Sequence, residues 1–201
     1  MILNSVFVVL IRAALALHPP TNLPPAQEGV FTVFGSSIIN ADVDAAWNLL
    51  TNFSDYPNWN PFARSQVIVN EWGVELSDQT PFEGAILKIT TQIPALTPPV
   101  NASTPSDPLN THITREIVST VQPELHRAAW YLDSPKAVLD AERWLALSKF
   151  IDDDGGAKTF FETREVYNGS LARAVQELLE DDLNQAFQAQ ADAMRITLEK
   201  Y

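Results

Sequence analysis

His126, Arg143 and Glu165 are the side chains of this sequence best suited to chemistry. An unperturbed imidazole titrates near neutral pH, so His126 is the strongest single candidate for moving a proton. It lies in ELHRAAWYL (124–132), whose alternation places His126, Ala128, Trp130 and Leu132 on one face and Arg127 and Tyr131 on the other. In LDAERWLAL (139–147) the apolar set Leu139, Ala141, Leu145 and Leu147 carries Arg143 with it and leaves Glu142 and Trp144 opposite. In KTFFETREVY (158–167), Phe161, Thr163, Glu165 and Tyr167 share one face. A buried charge without a partner is costly, so an inward arginine and an inward glutamate on neighbouring strands are expected to pair. That pair has two readings: a salt bridge that closes one end of the interior, or an arginine that anchors a ligand carbonyl, carboxylate or phenolate. His126 also has two, since it adjoins the Pro123 turn, where solvation or a hydrogen bond accounts for a histidine as well as catalysis does. Arg115 shares a parity with Ile113, Ile117 and Val121 and is expected to reach outward past its strand end.

Other chemistries find little support. The histidines His18, His112 and His126 have no metal-ligand spacing, and the chain contains no cysteine, no H-E-x-x-H and no G-x-S-x-G, so no metal, nucleotide or other cofactor is expected. A formal net charge of −12 opposes phosphate backbones and anionic lipid surfaces, which argues against nucleic acid as a partner. At the N-terminus the apolar run Val6 to Ile11 is too short to span a bilayer, so stable membrane insertion is not expected. Ala14-Leu15-Ala16 could serve a leader peptidase, but the run lacks a basic start and is followed by Arg12, which favours a cytoplasmic over a secreted location. The N-x-S sequons at Asn52, Asn101 and Asn168 are weak support for secretion.

The elements that must position these residues are legible from periodicity. After a proline-rich link, Val30 to Ile39 reads as a strand. A helix capped by Asn40 or Asp42 follows, with Val43, Trp47, Leu50 and Phe53 as its apolar stripe. Then comes FSDYPNWNPF (53–62), where two prolines stop the helix. Period-two segments run over 64–72, 84–93, 111–121, 124–132, 139–147 and 158–167, joined by antiparallel turns at Gln122-Pro123 and Asp152 to Gly156. Asp152 to Asp154 reads as a solvated hairpin tip rather than a calcium loop. The interval from Pro94 to Pro108 is an irregular loop, and the chain closes on an amphipathic helix from Leu171 to about Lys200. Its stripe is Leu171, Val175, Leu178, Leu179, Phe187, Ala191, Met194 and Leu198.

The order of elements predicts an α+β domain over residues 30–201, preceded by a 1–29 extension: a curled, seven-stranded antiparallel sheet wrapped around a long C-terminal helix. Ile39-to-Trp47 (I-x-A-D-x-D-x-x-W), the Y-P-x-W-N-P-F turn, AERWLAL, and E-x-Y-x-G before the last helix resemble the SRPBCC superfamily, the START-like helix-grip group that includes polyketide cyclase/dehydrase and coenzyme-Q-binding proteins. The resemblance implies that the face with Phe161 and Glu165 points inward. It also implies a cavity for a hydrophobic molecule such as a lipid, isoprenoid, quinone or polyketide. Tyr56, Trp59, Asn60 and Phe62 would then either cover the mouth and touch the ligand or plug an uncovered core end. Leu87, Ile89, Trp130, Leu145, Phe161 and Tyr167 would line the walls. An alternative is a cyclase/dehydratase-type enzyme in which His126, Arg143 and Glu165 polarise a carbonyl and move a proton.

Overall fold

The computed structural model describes residues 19–153 and 155–200. The leader-like segment, His18 and Asp154 lie outside the described residues. Seven strands form one sheet: β1 (Phe31–Ile39), β2 (Ala63–Val69), β3 (Ile86–Gln92), β4 (Thr111–Gln122), β5 (Arg127–Leu132), β6 (Asp140–Ile151) and β7 (Ala157–Asn168). Their spatial order is β1-β7-β6-β5-β4-β3-β2, antiparallel throughout. Three helices accompany them: α1 (Val43–Thr51), α2 (Tyr56–Trp59) and α3 (Ala172–Leu198). This is the helix-grip arrangement expected from the order of elements. Among the described residues no helix is long and apolar enough to cross a membrane.

Asp42 caps α1 by accepting the Asp44 N–H at 2.8 Å, and the helix buries Val43, Ala46, Trp47 and Leu50. It ends at Thr51. A 3-10 turn (Phe53–Asp55) leads into α2, where Pro57 sits in the first turn and its missing donor costs nothing. Asn60 ends α2, and its Oδ1 accepts the N–H groups of Phe62 (3.0 Å) and Ala63 (2.9 Å). The chain thereby turns into β2.

Two strand readings need correction. Residues 123–125 form a 3-10 turn, and His126 follows it in the left-handed region at φ 50°, so β5 begins only at Arg127 and His126 does not share the inner face of Ala128 and Trp130. In β4 a register shift between Val118 and Thr120 reverses the alternation. Ile113 and Arg115 therefore face outward, and Arg115 pairs with Asp133 at 2.7 Å. The inner face of β4 is Thr114, Glu116 and Val118, opposite Ile89, Leu87 and Trp130. The stripe of α3 also differs at its start: Leu171 precedes the helix, and Leu178 is 77% exposed because the buried positions step through Ala172, Leu183, Ala186, Phe187, Gln190 and Met194.

α3 packs most closely on β1 at Gly35. A Cβ there would lie 2.5 Å from the backbone carbonyl of Phe187, so only glycine lets the helix axis approach this far. On the outer face of the sheet, residues 20–28 form a strap. Glu162, only 3% exposed, accepts from Thr21 Oγ1 (2.8 and 2.9 Å), Asn22 N (2.6 Å) and Leu23 N (3.3 Å). Arg164 donates to the Pro24 carbonyl at 2.7 Å.

Gly35→Ala is expected to lower unfolding free energy by about 1–3 kcal/mol through overpacking against the Phe187 backbone, read by urea titration. Glu162→Ala removes the acceptor shared by the partly buried strap donors; it is expected to cost about 1–3 kcal/mol and to expose residues 20–28 to limited proteolysis without abolishing the fold.

Candidate functional site

The strand register gathers polar groups on the inner face near one end of the grip. One row across the sheet runs Val33, Glu165, Arg143, Trp130, Val118; beside it Leu132, Glu116, Leu87 and Ile68 form the next. Arg143 is 6% exposed. Its Nε donates to Thr163 Oγ1 at 3.1 Å and one terminal nitrogen donates to Gln190 Oε1 of α3. The guanidinium carbon lies 4.1 Å from the ring centroid of Phe187 and 5.1 Å from that of Phe62. Cation–π contact of this kind is favourable where water is excluded.

Arg143 and Glu165 stand opposite each other in register, as the inward pair was expected to, but no direct ion pair joins them. They interact at longer range. Burial lowers the arginine pKa, opposed by the nearby Glu165, Tyr56, Glu116 and Tyr167. Burial is also the main cause that pushes the Glu165 carboxyl up to about 7; the Glu116 charge adds to it, while Arg143 and a hydrogen bond from Tyr167 act against it. Glu116, which accepts from Thr114 Oγ1 at 2.7 Å, is likewise raised by burial. Burial holds the Tyr56 and Tyr167 hydroxyls neutral, well above the usual phenol range.

Glu116 and Glu165 are partly exposed, unlike Arg143. Around this end stand the partly buried apolar residues Leu132, Leu139, Val175 and Leu179, with Ile93 and Ala95 from the loop after β3. The arrangement is a polar patch of Arg143, Glu116 and Glu165 on the inner face, with these apolar residues packed on the neighbouring core cluster. Chemically it can hold a polar group, exchange a proton near neutral pH through Glu165, or do both.

The remaining candidates are placed as follows. Tyr56, Trp59, Asn60 and Phe62 are buried: Tyr56 donates to the Leu50 carbonyl at 2.7 Å, Tyr56 and Trp59 stack edge to face, and Phe62 tilts against Phe187. Trp59 Nε1 and Asn60 Nδ2 are buried without a hydrogen-bond partner. Leu87, Ile89, Trp130, Leu145 and Phe161 belong to the same packed core. The room expected between sheet and α3 is thus largely occupied by the protein's own side chains, and the aromatic segment acts there as a plug. Tyr167 stacks on Phe31 at 4.4 Å beside Glu165. His126 stands apart from this cluster: its Nε2 lies 2.7 Å from Asp44 Oδ1 at the start of α1, with its ring edge-on to Trp47. A recess of about 240 Å³ lies on the outer face instead, between Pro24 to Gln27 of the strap and Trp144, Glu142 and Arg164.

Glu116 and Gln190 were not singled out from the sequence. Glu116 was hidden by the bulge in β4, which makes Ile113 and Ile117 look like the inner set. Gln190 had a visible signal, a polar residue three after Phe187 and four before Met194 on the apolar stripe.

No protein-family model matches the chain, and no curated protein sequence matches it. Solved structures do match. A START superfamily protein from Mycobacterium smegmatis superposes with a TM-score of 0.54 at 13% identity, covering 84% of this chain and 97% of that one. Major latex-like protein 151 from Panax ginseng gives 0.57 at 9% identity, with 84% and 97% covered. A truncated norcoclaurine synthase from Thalictrum flavum gives 0.52 at 13%, with 89% and 99% covered. Likeness at such identity is one of fold: the chain has the START-like helix-grip fold.

The Glu165 titration has a thermodynamic consequence. Its folded pKa, about 7, lies above the ordinary 4.5, so between these values the folded chain holds a proton that the unfolded chain releases. This contribution to stability is present at low pH and is lost as pH rises through that window. Glu165→Gln abolishes it. In urea melts the stability of the variant minus that of the wild type is expected to rise between pH 5 and pH 8; a value that stays constant or falls over this range contradicts the assignment.

Proposed function

We propose that this protein binds a small, largely apolar molecule at the end of the grip lined by Leu132, Leu139, Val175 and Leu179, with the molecule's polar group directed to Glu116, Arg143 and Glu165. The observation that carries this reading is the placement of two carboxylates, on partly exposed residues, beside a buried arginine and next to the Phe62–Phe187 apolar cluster on the inner face of a helix-grip sheet. A site of this kind is apolar with a few convergent polar groups. Lipids, isoprenoids, quinones and polyketides are the ligand classes that suit it. A guest larger than the open end must displace the packed aromatic segment, so binding entails movement of α2 and the Phe62 ring away from Phe187.

A second reading is supported by one observation, a carboxyl that titrates near 7 next to a second carboxylate. Glu165 would then act as acid and base in a cyclase- or dehydratase-type reaction on the bound molecule, with Arg143 polarising the oxygen. One protein of the same fold is named a synthase. His126, bound to Asp44 on the far side of α1's first turn, takes no part in this version.

Native mass spectrometry of the purified protein, followed by solvent extraction, is expected to show a co-purifying apolar molecule or, with the empty protein, a rise in Tm on adding one of these four classes. Repeated absence of both overturns the binding reading. Turnover of that molecule, lost in Glu165→Gln while binding and folding persist, selects the enzyme.

A further inference from the structure

The charges on the inner face do not balance. Among the described residues Arg143 from β6 is the one cation there; against it stand Glu116 from β4 and Glu165 from β7. The other described groups that meet the cluster are uncharged: Thr114 of β4, Thr163 and Tyr167 of β7, Tyr56 of α2, and Gln190 of α3. With both carboxylates ionised the patch therefore carries one net negative charge. The arginine is also largely committed. Thr163 and Gln190 take two of its edges, and Phe62 and Phe187 cover its guanidinium. A ligand anion would find an engaged cation and two like charges, and repulsion of this kind grows as water is excluded.

We infer that the polar end of the ligand is a cation: an apolar molecule carrying a basic amine, its ammonium between Glu116 and Glu165 and its apolar body along Leu132, Leu139, Val175 and Leu179. The inference rests on the inner patch being the binding site proposed above, and it sets the charge of the ligand's polar end, which among the classes named there favours an amine-bearing lipid over a quinone or a polyketide. An ammonium supplies the counter-charge the patch lacks, and its donors match the carboxylate acceptors of two partly exposed residues. Binding the amine requires Glu165 in its ionised form, so a proton leaves when the complex forms. A neutral alcohol has no such requirement, and a carboxylate is opposed at every pH at which Glu165 is charged.

The test uses the full chain and three probes of matched length below their aggregation limits: octylamine, octanol and octanoate. Isothermal titration is run at pH 6, 7 and 8, in two buffers of different ionisation enthalpy. An alkylammonium, like that of lysine, keeps its charge across this range. Octylamine is expected to bind at least about tenfold more tightly than octanoate at pH 8, and its affinity is expected to rise about tenfold from pH 6 to pH 8 as the ionised fraction of Glu165 grows. At pH 7, where about half of the Glu165 carboxyls hold a proton, its apparent enthalpy is expected to differ between the buffers by about half of their difference in ionisation enthalpy. Glu116→Gln and Glu165→Gln, each checked for folding by its urea melt, are each expected to weaken octylamine while sparing octanol. Octanoate binding as tightly as octylamine, or octylamine binding that is flat with pH in the wild type, overturns the cationic assignment and leaves an apolar site standing. No heat from any of the three at millimolar concentration overturns the patch as a small-ligand site altogether.

Discussion

The burial of Arg143 is the constraint on which the rest of this molecule turns. A guanidinium removed from water must find hydrogen bonds and counter-charge or unfold its surroundings. Here the partners come from separate parts of the chain: Thr163 from the neighbouring strand, Gln190 from the last helix, Phe62 from the turn after α2, and the Phe187 ring from α3. One side chain thus ties the sheet, the long helix and the aromatic turn together. Because its contacts are hydrogen bonds and ring faces rather than a direct carboxylate, Glu116 and Glu165 act on it only at longer range.

The packing around this point is correspondingly tight. Gly35 lets α3 settle onto β1 until the helix backbone nearly touches the strand. Tyr56, Trp59 and Phe62 fill the space under α1 and against Phe187. The rings of FSDYPNWNPF are therefore structural first: a one-turn helix with Pro57 in its first turn, followed by Asn60 and Pro61, delivers Tyr56 and Trp59 into the core beside α1 and Phe62 against Phe187 of α3. The same plug limits the room left for a guest. Function, on this reading, is concentrated where the packing stops.

The outer face has its own organisation. Glu162 lies on the face that alternation assigns to solvent, yet it is among the most buried acids because residues 20–28 cross over it and donate backbone and hydroxyl hydrogen bonds. The strap also walls the outer recess against Trp144 and Arg164. The segment before β1 thereby becomes part of the folded unit, held by polar contacts rather than by apolar burial.

The sequence by itself determined the element order, the antiparallel sheet, the stop of α1 before the prolines, the inward placement of Arg143, and the sharing of one face by Phe161, Thr163, Glu165 and Tyr167. These follow from local periodicity and turn chemistry, which each segment carries within itself. Only the tertiary structure decided that His126 leaves the strand for a left-handed position beside Asp44, that a bulge in β4 turns Glu116 inward, that Gln190 meets Arg143 from α3, and that a strap buries Glu162. Each of these depends on a register shift or on contact between residues far apart in the chain. Alternation counts positions along one strand, whereas a bulge, a close helix approach or a crossing segment is settled by what the neighbouring elements can pack against.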